Sequence, residues 1–323
     1  MTNCLFKPLL VLLCMGFCIH TAAQQPPKPL RHQLTLISEN DNYTFRYKDR
    51  YYTNGFMIRY SRALDKTTAT IRKKVFTAEA GQLIFNPYRN NVTFARTLDR
   101  PYTGLLYIQG GVAYFSSKGH MWRWQVQGGV VGAAALGEQV QRWHHKNFGL
   151  PYPYGWETQL PSGFGLNLHG AYYHRLLPTH QDRWIQLYAG GELAAGNLLT
   201  QAGSSLLVKL GVLEKSDRSN WWEARLQSSG QAGLEKKWEW FVYLQPRIAY
   251  QVYNATVQGS LFNKNSEVYT TGIQPYVFSQ QCGMVFSKDR YTVQAGFTYQ
   301  TREARTMRTH QKYGTIQLGY RFR

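Results

Sequence analysis

The amino-acid sequence predicts an all-β protein, a transmembrane antiparallel up-and-down β-barrel of about twelve strands with a short helix in an extracellular loop. Aromatic residues make up 15% of the chain, yet the mean hydropathy is −0.42. Beyond the N-terminal region, no apolar stretch approaches the length of a membrane-spanning helix. Many short runs alternate between apolar and polar residues. A membrane barrel explains all three observations, because only every second residue of its strands faces lipid.

Alternation is clearest near the C-terminus, where Tyr291, Val293 and Phe297 fall on one face of a run and Thr292 and Gln294 fall on the other. A soluble β-sandwich would also alternate, but aromatic residues at strand ends favour the interfacial girdles of a membrane barrel. Those aromatic residues are Tyr107, Trp122, Trp184, Trp238 and Tyr291. The predicted strands are 31–39, 53–63, 103–116, 119–132, 161–175, 183–195, 202–214, 236–253, 255–265, 276–287, 290–302 and 310–322.

Residues 1–23 have the features of a secretory signal peptide, which leaves 24–323 as one barrel domain. A single cation precedes an apolar stretch, and small residues end at Ala23. The alternative, a lipoprotein anchored at Cys18, is disfavoured because Met15-Gly16-Phe17 is a poor match to the small-residue box that precedes such a cysteine. After cleavage only Cys282 remains, so we expect neither an intramolecular disulfide nor a thiolate metal site.

The chain is strongly basic, with 37 Lys and Arg against 18 Asp and Glu and a formal net charge of +19. Such a surface suggests an anionic partner, and for an exported protein we expect lipid or lipopolysaccharide phosphates. The alternative is that the excess cations only solvate loops. No nucleic-acid-binding module is indicated beyond charge, so we expect no nucleic-acid partner.

One segment, "ALGEQVQRWHHKNFG" at 135–149, breaks the strand pattern. It lacks alternation, contains helix formers and ends at a glycine, so it predicts a helix from Leu136 to Phe148. Val140 and Trp143 share one face of this helix, and we expect that face to rest on the barrel rim.

The other face of the predicted helix carries Glu138, Gln141 and His145 at spacings of three and four. His145 is the candidate general base, because an imidazole can accept a proton from water near neutral pH. Gln141 is one turn away and can orient a water molecule or a carbonyl group. The acid that orients the imidazole is open between Glu138 and Glu157. The alternative is that His144 and His145 are simply exposed on a loop helix.

Polar residues also cluster where the first strand ends, in "SENDNYTFRYKDRYYTNGF" at 38–56. Asn40, Asp41 and Asn42 follow Glu39, and oxygen ligands of this kind suit Ca²⁺. A solvated Asx turn is the alternative. Thr53 returns to the same rim on the next strand, so we predict that Asn40, Asp41, Thr53, Gln141 and His145 share one pocket.

Several stretches together resemble one family, the outer-membrane lipid A 3′-O-deacylases. These stretches are "SEND" at 38–41, "DRYYTNG" at 49–55, "DRPYTG" at 99–104, "ALGEQVQ" with the histidine at 135–145, "GWETQL" at 155–160 and "YGTIQLGYRF" at 313–322. Their order and spacing fit, and they span nearly the whole chain that follows the signal peptide.

The resemblance implies a twelve-stranded barrel in the bacterial outer membrane that removes the 3′-linked acyloxyacyl group of lipid A. It implies a calcium-dependent esterase in which a histidine activates water. Matched motif by motif, Asn40 and Asp41 are the expected metal-binding pair, Thr53 the hydroxyl residue, and Gln141 and His145 the Gln-x-x-x-His pair. We expect a monomer.

Two rival functions remain compatible with the sequence. One is a non-enzymatic barrel, either a pore or a structural protein. The other is an outer-membrane phospholipase, which would share the ester chemistry and the calcium ion.

Overall fold

The protein is a closed antiparallel β-barrel, described here from a computed structural model over residues 29–44, 49–65, 68–89, 98–178, 184–227, 237–262 and 271–323. The predicted signal peptide, 1–23, lies outside the described residues. The strands are β1 His32–Asn40, β2 Tyr51–Leu64, β3 Ile71–Asn86, β4 Thr103–Ser116, β5 Met121–Val131, β6 Gly163–Arg175, β7 Ile185–Gly196, β8 Leu199–Val212, β9 Trp238–Asn254, β10 Tyr276–Lys288, β11 Tyr291–Gln300 and β12 Gln311–Phe322.

Each strand pairs with its neighbours in sequence, and β1 closes the barrel against β12. Leu34 and Leu36 of β1 point outward and are exposed, whereas Gln33 and Thr35 point into the lumen and are buried. An apolar exterior with a polar interior is the arrangement that a lipid bilayer stabilises. The predicted fold class, an up-and-down barrel of about twelve strands, is therefore confirmed.

Strand β3 was missed by the sequence prediction because neither of its faces is uniformly apolar. Lys73 and Glu79 point into the lumen and are buried. Lys73 donates to the backbone carbonyl oxygen of Ala224, and Glu79 accepts from Arg59 and Tyr107. Charged residues with internal partners hide the alternation on which the prediction rests.

The predicted strand at 255–265 is wrong over residues 255–262, and residues 263–265 lie outside the described part of the chain. The chain instead forms a single helical turn at Ala255–Gln258, where the side chain of Asn254 accepts from the backbone N–H of Thr256 at 3.0 Å. An asparagine N-cap of this kind favours a helix start over strand continuation. The other predicted runs coincide with observed strands to within a few residues.

The loop between β5 and β6 contains the helix α1, Gly137–Phe148, as predicted. We call the end of the barrel that carries this loop the helical end; the loops after β1, β3, β7, β9 and β11 lie there too. Among the described residues, no helix is long and apolar enough to cross a membrane.

At the opposite end, residues 213–227 enter the lumen and fill part of it. The ring of Trp222 packs against Tyr173 with 4.8 Å between centroids, and Glu223 forms an ion pair with Arg59. Lys73 also donates to the carbonyl oxygen of Leu226. A polar cavity of about 420 Å³ remains beside this segment.

Because residues 213–227 fill part of the lumen, we expect the protein to conduct ions poorly. In planar bilayers it is expected to lack the steady open conductance of a porin, because residues 213–227 occupy the lumen. Lys73→Ala is expected to raise the conductance, since the carbonyl oxygens of Ala224 and Leu226 lose their donor. Lys118→Ala, in an exposed turn at the same end, is the control. A large steady conductance of the unaltered protein would support the pore hypothesis instead.

Candidate active site

Helix α1 lies outside the barrel wall, over the ends of β3 and β4. Gln82, on the outward face of β3, donates to the carbonyl oxygen of Ala135 at 2.6 Å. Gly104 of β4 faces Gly137, and a Cβ atom at Gly104 would lie 2.9 Å from the side chain of Ala135. The absence of a side chain at Gly104 therefore lets the start of the helix approach the wall closely.

The polar face of α1, not its apolar face, turns toward the protein. Gln141 and His145 are buried, whereas Val140 and Trp143 are exposed. The prediction that Val140 and Trp143 rest on the barrel rim is therefore wrong. The rim below the helix presents polar groups and an aromatic ring, and these are matched by Gln141 and His145.

The "GWETQL" segment forms the floor under the helix. Trp156 is fully buried, and its indole N–H donates to the Oε1 atom of Gln141 at 2.7 Å. The ring of Tyr102, from "DRPYTG", packs against Trp156 with 5.3 Å between centroids. These contacts fix the rotation of the helix and therefore the direction in which His145 points.

His145 is held between two oxygen atoms. Its Nε2 atom lies 3.0 Å from the Oδ2 atom of Asp49, and its Nδ1 atom lies within hydrogen-bond distance of the carbonyl oxygen of Pro151. Gln141 reaches the same Asp49 oxygen, with its amide nitrogen at 3.4 Å. The imidazole therefore has a carboxylate partner and a fixed orientation.

The carboxylate beside His145 is neither of the two acids considered from the sequence. Glu138 forms an ion pair with Arg142 and accepts from Gln159 at 2.9 Å, so it faces away from His145. Glu157 accepts from the backbone N–H of Gly155 at 3.1 Å. Asp49 was missed, although it opens the "DRYYTNG" motif, because the search for an acid was confined to the helix and the segment after it.

The loop after β1 presents acceptor oxygens that lack donors. Asp41 is buried; its Oδ2 atom accepts from the backbone N–H of Arg50 at 3.1 Å. The Oδ1 atoms of Asp41 and Asn42 are buried and have no hydrogen-bond partner within the described part of the chain. The side-chain oxygen of Asn40 accepts from the backbone N–H of Asn42 at 2.7 Å. A buried acceptor without a donor is unfavourable unless a proton or a cation reaches it.

The raised pKa of Asp41 also indicates that its carboxylate needs a proton or a cation nearby. Burial, followed by the negative charge of the nearby Asp49, raises the pKa of Asp41 to about 8. A cation bound beside this carboxylate would stabilise its ionised form and so offset the rise in pKa that burial and Asp49 cause.

A hard cation fits this loop. The described residues contain no cluster of three or more His, Cys, Asp or Glu side chains suited to a metal ion. Calcium, however, also takes amide, backbone-carbonyl and water oxygens. Asp41, Asn42 and Asn40 supply carboxylate and amide oxygens of that kind.

Thr53 and Glu39 lie near this loop but face other partners. Thr53 is buried next to Asn54, which pairs with Asn40 across β1 and β2, and its hydroxyl donates to the carbonyl oxygen of Tyr51 at 3.5 Å. Glu39 points into the lumen and accepts from Tyr52 and from Thr315.

A buried network braces the start of β2 beside the site. Tyr51 has a positive φ of 62°, an uncommon backbone conformation for a bulky residue. Its hydroxyl donates to Asp99 at 2.7 Å and accepts from the backbone N–H of Arg308 at 2.8 Å. Arg100, the next residue of "DRPYTG", is fully buried and donates to Glu303. These hydrogen bonds join the loops after β1, β3 and β11 at the helical end.

Asp49 is the link between the two halves of the site. It contacts His145 and Gln141 on α1, and the residue after it, Arg50, donates its backbone N–H to Asp41. The structure therefore brings four of the five candidate residues to one place at the rim, namely Asn40, Asp41, Gln141 and His145. Thr53 stands at the edge of that group.

The comparisons with known proteins identify a family and a structure with a similar fold. Residues 9–322 match the family model described as "Outer membrane protein LpxR". The structure of LpxR from Salmonella typhimurium is similar, with a TM-score of 0.71 and 20% sequence identity, over 90% of this chain and 100% of that one. The β domain of the Bordetella autotransporter BrkA gives a TM-score of 0.42 and 9% identity over 90% of this chain and 98% of that one. No curated protein matches the chain in sequence.

Proposed function

This chain belongs to the LpxR family of outer membrane proteins, and from that premise we propose that it is a calcium-dependent esterase that hydrolyses the 3′-linked acyloxyacyl group of lipid A. Membership of the family implies a lipid A deacylase of the outer membrane. The observation that carries the proposal is the placement of His145 against Asp49, beside the Asp41 loop, on the outside of the barrel wall.

His145 is the proposed general base. The carbonyl oxygen of Pro151 can only accept, so it fixes the proton of the neutral imidazole on Nδ1. The lone pair then resides on Nε2, and the Asp49 oxygen 3.0 Å away can also only accept, so the attacking water must replace this direct contact before Nε2 takes its proton. The Asp49 carboxylate, 3.0 Å from Nε2, stabilises the imidazolium that forms.

Asp41, Asn40 and Asn42 are the proposed ligands of the calcium ion. When bound, the ion supplies positive charge at the place where an ester oxygen becomes negative during the reaction. Gln141 keeps Asp49 and the helix in position through its contacts with Asp49 and Trp156. Thr53 is proposed as a hydroxyl donor to substrate at the edge of the site.

The position of the site suits a substrate embedded in the membrane. Helix α1 stands outside the wall, so an ester in the surrounding leaflet can reach His145 without entering the lumen. The net charge of +19 favours a phosphate-bearing lipid such as lipid A. All of these side chains come from one chain, so we propose that a monomer is sufficient.

The proposal is tested by substrate competition. Purified protein is incubated with a mixture of lipid A and a glycerophospholipid in the presence of Ca²⁺. The molecular masses of both lipids are then measured by mass spectrometry. We expect lipid A to lose one acyloxyacyl group and the phospholipid to remain intact. Hydrolysis of the phospholipid alone would assign the protein as a phospholipase, and no hydrolysis of either would favour a non-enzymatic barrel.

Asp49→Asn is expected to slow lipid A hydrolysis by about ten- to a hundredfold. A hydrogen bond to a charged group contributes about 1.5–3 kcal/mol, and each 1.36 kcal/mol is a factor of about ten in rate. The loss should appear in kcat more than in KM, because the imidazolium forms only during the reaction. Asp65→Asn, at the opposite end of the barrel, is the matched control. An unchanged rate in Asp49→Asn would remove Asp49 from the mechanism.

A further inference from the structure

The outward face of α1 carries three exposed apolar side chains beside the exposed polar residues Gln139 and Asn147. Leu136 at the N-cap, Val140 and Trp143 are 48%, 37% and 63% exposed. At about 100° per residue these three side chains form one stripe, roughly opposite the buried Gln141 and His145. Large apolar side chains on the outer side of a surface helix are unusual where that side faces water.

This stripe continues the lipid-facing surface of the wall. The start of α1 rests on the outward faces of β3 and β4, where Gln82 and Gly104 contact it. Below that contact the outward residues of β4 are Leu106 and Ile108, and Ile108 is 69% exposed. No polar strip separates these residues from the helix along β4. The helix therefore stands directly above the apolar band that the bilayer covers.

The residues flanking the stripe are those found where a membrane meets water. Arg142 and Lys146 are exposed on one side of it. Tyr152 and Tyr154, in the segment that follows, are also exposed, and the guanidinium of Arg142 lies 5.0 Å from the ring centre of Tyr152. Aromatic rings and cations around an apolar face are typical of helices that lie in a membrane interface.

We propose that the outward face of α1, formed by Leu136, Val140 and Trp143, inserts among the acyl chains of the leaflet that surrounds the helical end. The occupant of this surface is membrane lipid, since the surface continues a wall that already contacts lipid. The inference does not depend on the proposed reaction. It places His145, on the opposite face of the same helix, at the boundary between acyl chains and headgroups, where the ester groups of membrane lipids lie.

The insertion is tested with a fluorophore at single cysteines. In a Cys282→Ser background, an environment-sensitive label is attached at Trp143→Cys, Val140→Cys, Ile108→Cys or Lys118→Cys. Each protein is reconstituted into phosphatidylcholine vesicles that contain a lipid with a nitroxide on its acyl chain. The label at position 108 reports the environment of the lipid-facing wall. The label at position 118 reports that of an exposed turn at the opposite end. Heat-modifiable migration on gels confirms that each variant is folded.

We expect the labels at positions 143 and 140 to be quenched to a similar extent as the label at 108, with emission shifted to shorter wavelength. The label at 118 should be quenched little. If the labels at 143 and 140 both behave as the label at 118 does, the outward face of α1 is in water and the proposal fails. Because quenching requires no substrate, this result is independent of whether the protein hydrolyses lipid A.

Discussion

His145→Ala is expected to lower the rate of lipid A hydrolysis by about 10²–10⁴-fold, the range that a positioned general base contributes. His145 is buried on α1, with Nε2 3.0 Å from Asp49. Alanine removes the group that accepts the proton and leaves Asp49 with no imidazolium to stabilise. The rate is measured with purified protein by following loss of the acyloxyacyl group from lipid A.

His144→Ala is the matched control. His144 lies about 100° around the helix, and its ring packs against Phe148 with 4.6 Å between centroids. We expect it to retain most of the activity. Both variants should fold, because the stability of the barrel comes from closed strand pairing and α1 lies outside the wall. Equal losses from the two substitutions would mean that the role assigned to His145 is wrong.

Removal of calcium is expected to reduce the rate by at least about 10²–10³-fold, the range reported for loss of one group that stabilises an oxyanion. Without a cation, Asp41 is buried beside Asp49 with an unpartnered oxygen. Activity is measured in chelator and after Ca²⁺ is restored. Full activity in chelator would exclude the metal role of the Asp41 loop.

Asp41→Asn tests calcium binding separately from the role of His145. The variant keeps an oxygen at this position but loses the charge, so we expect it to need more Ca²⁺ for half-maximal activity. Asp65→Asn is expected to leave the calcium requirement unchanged, because Asp65 lies at the opposite end of the barrel. A requirement identical to that of the unaltered protein in Asp41→Asn would place the ion elsewhere.

The barrel was predictable because its signal is local. Outward residues such as Leu34 and Leu36 alternate with inward ones along the same strand, and the bilayer imposes that pattern on each strand independently. The pattern failed at β3, where Lys73 donates to the distant Ala224 and Glu79 pairs with Arg59 on the neighbouring strand. A charge whose partner is far away in sequence cannot be recognised from its neighbours.

The site was predictable only in part for the same reason. The spacing of Gln141 and His145 placed them on one helical face, but which face meets the protein depends on contacts with Trp156 and Asp49. A helix that buries Gln141 and His145 and exposes Trp143 departs from the rule for water-soluble proteins, and the inferred insertion of its outward face into the membrane accounts for that departure. Asp49 lies 96 positions before His145, so no local spacing could pair them.

The central claim, that this protein removes an acyloxyacyl group from lipid A through His145, is tested most directly by mass spectrometry of lipid A from three bacterial strains. One strain lacks the protein, one produces it, and one produces His145→Ala at the same level in the outer membrane. We predict that lipid A is lighter by one acyloxyacyl group only in the strain with the unaltered protein. Lipid A of the same mass in all three strains, with folded protein present, would contradict the account.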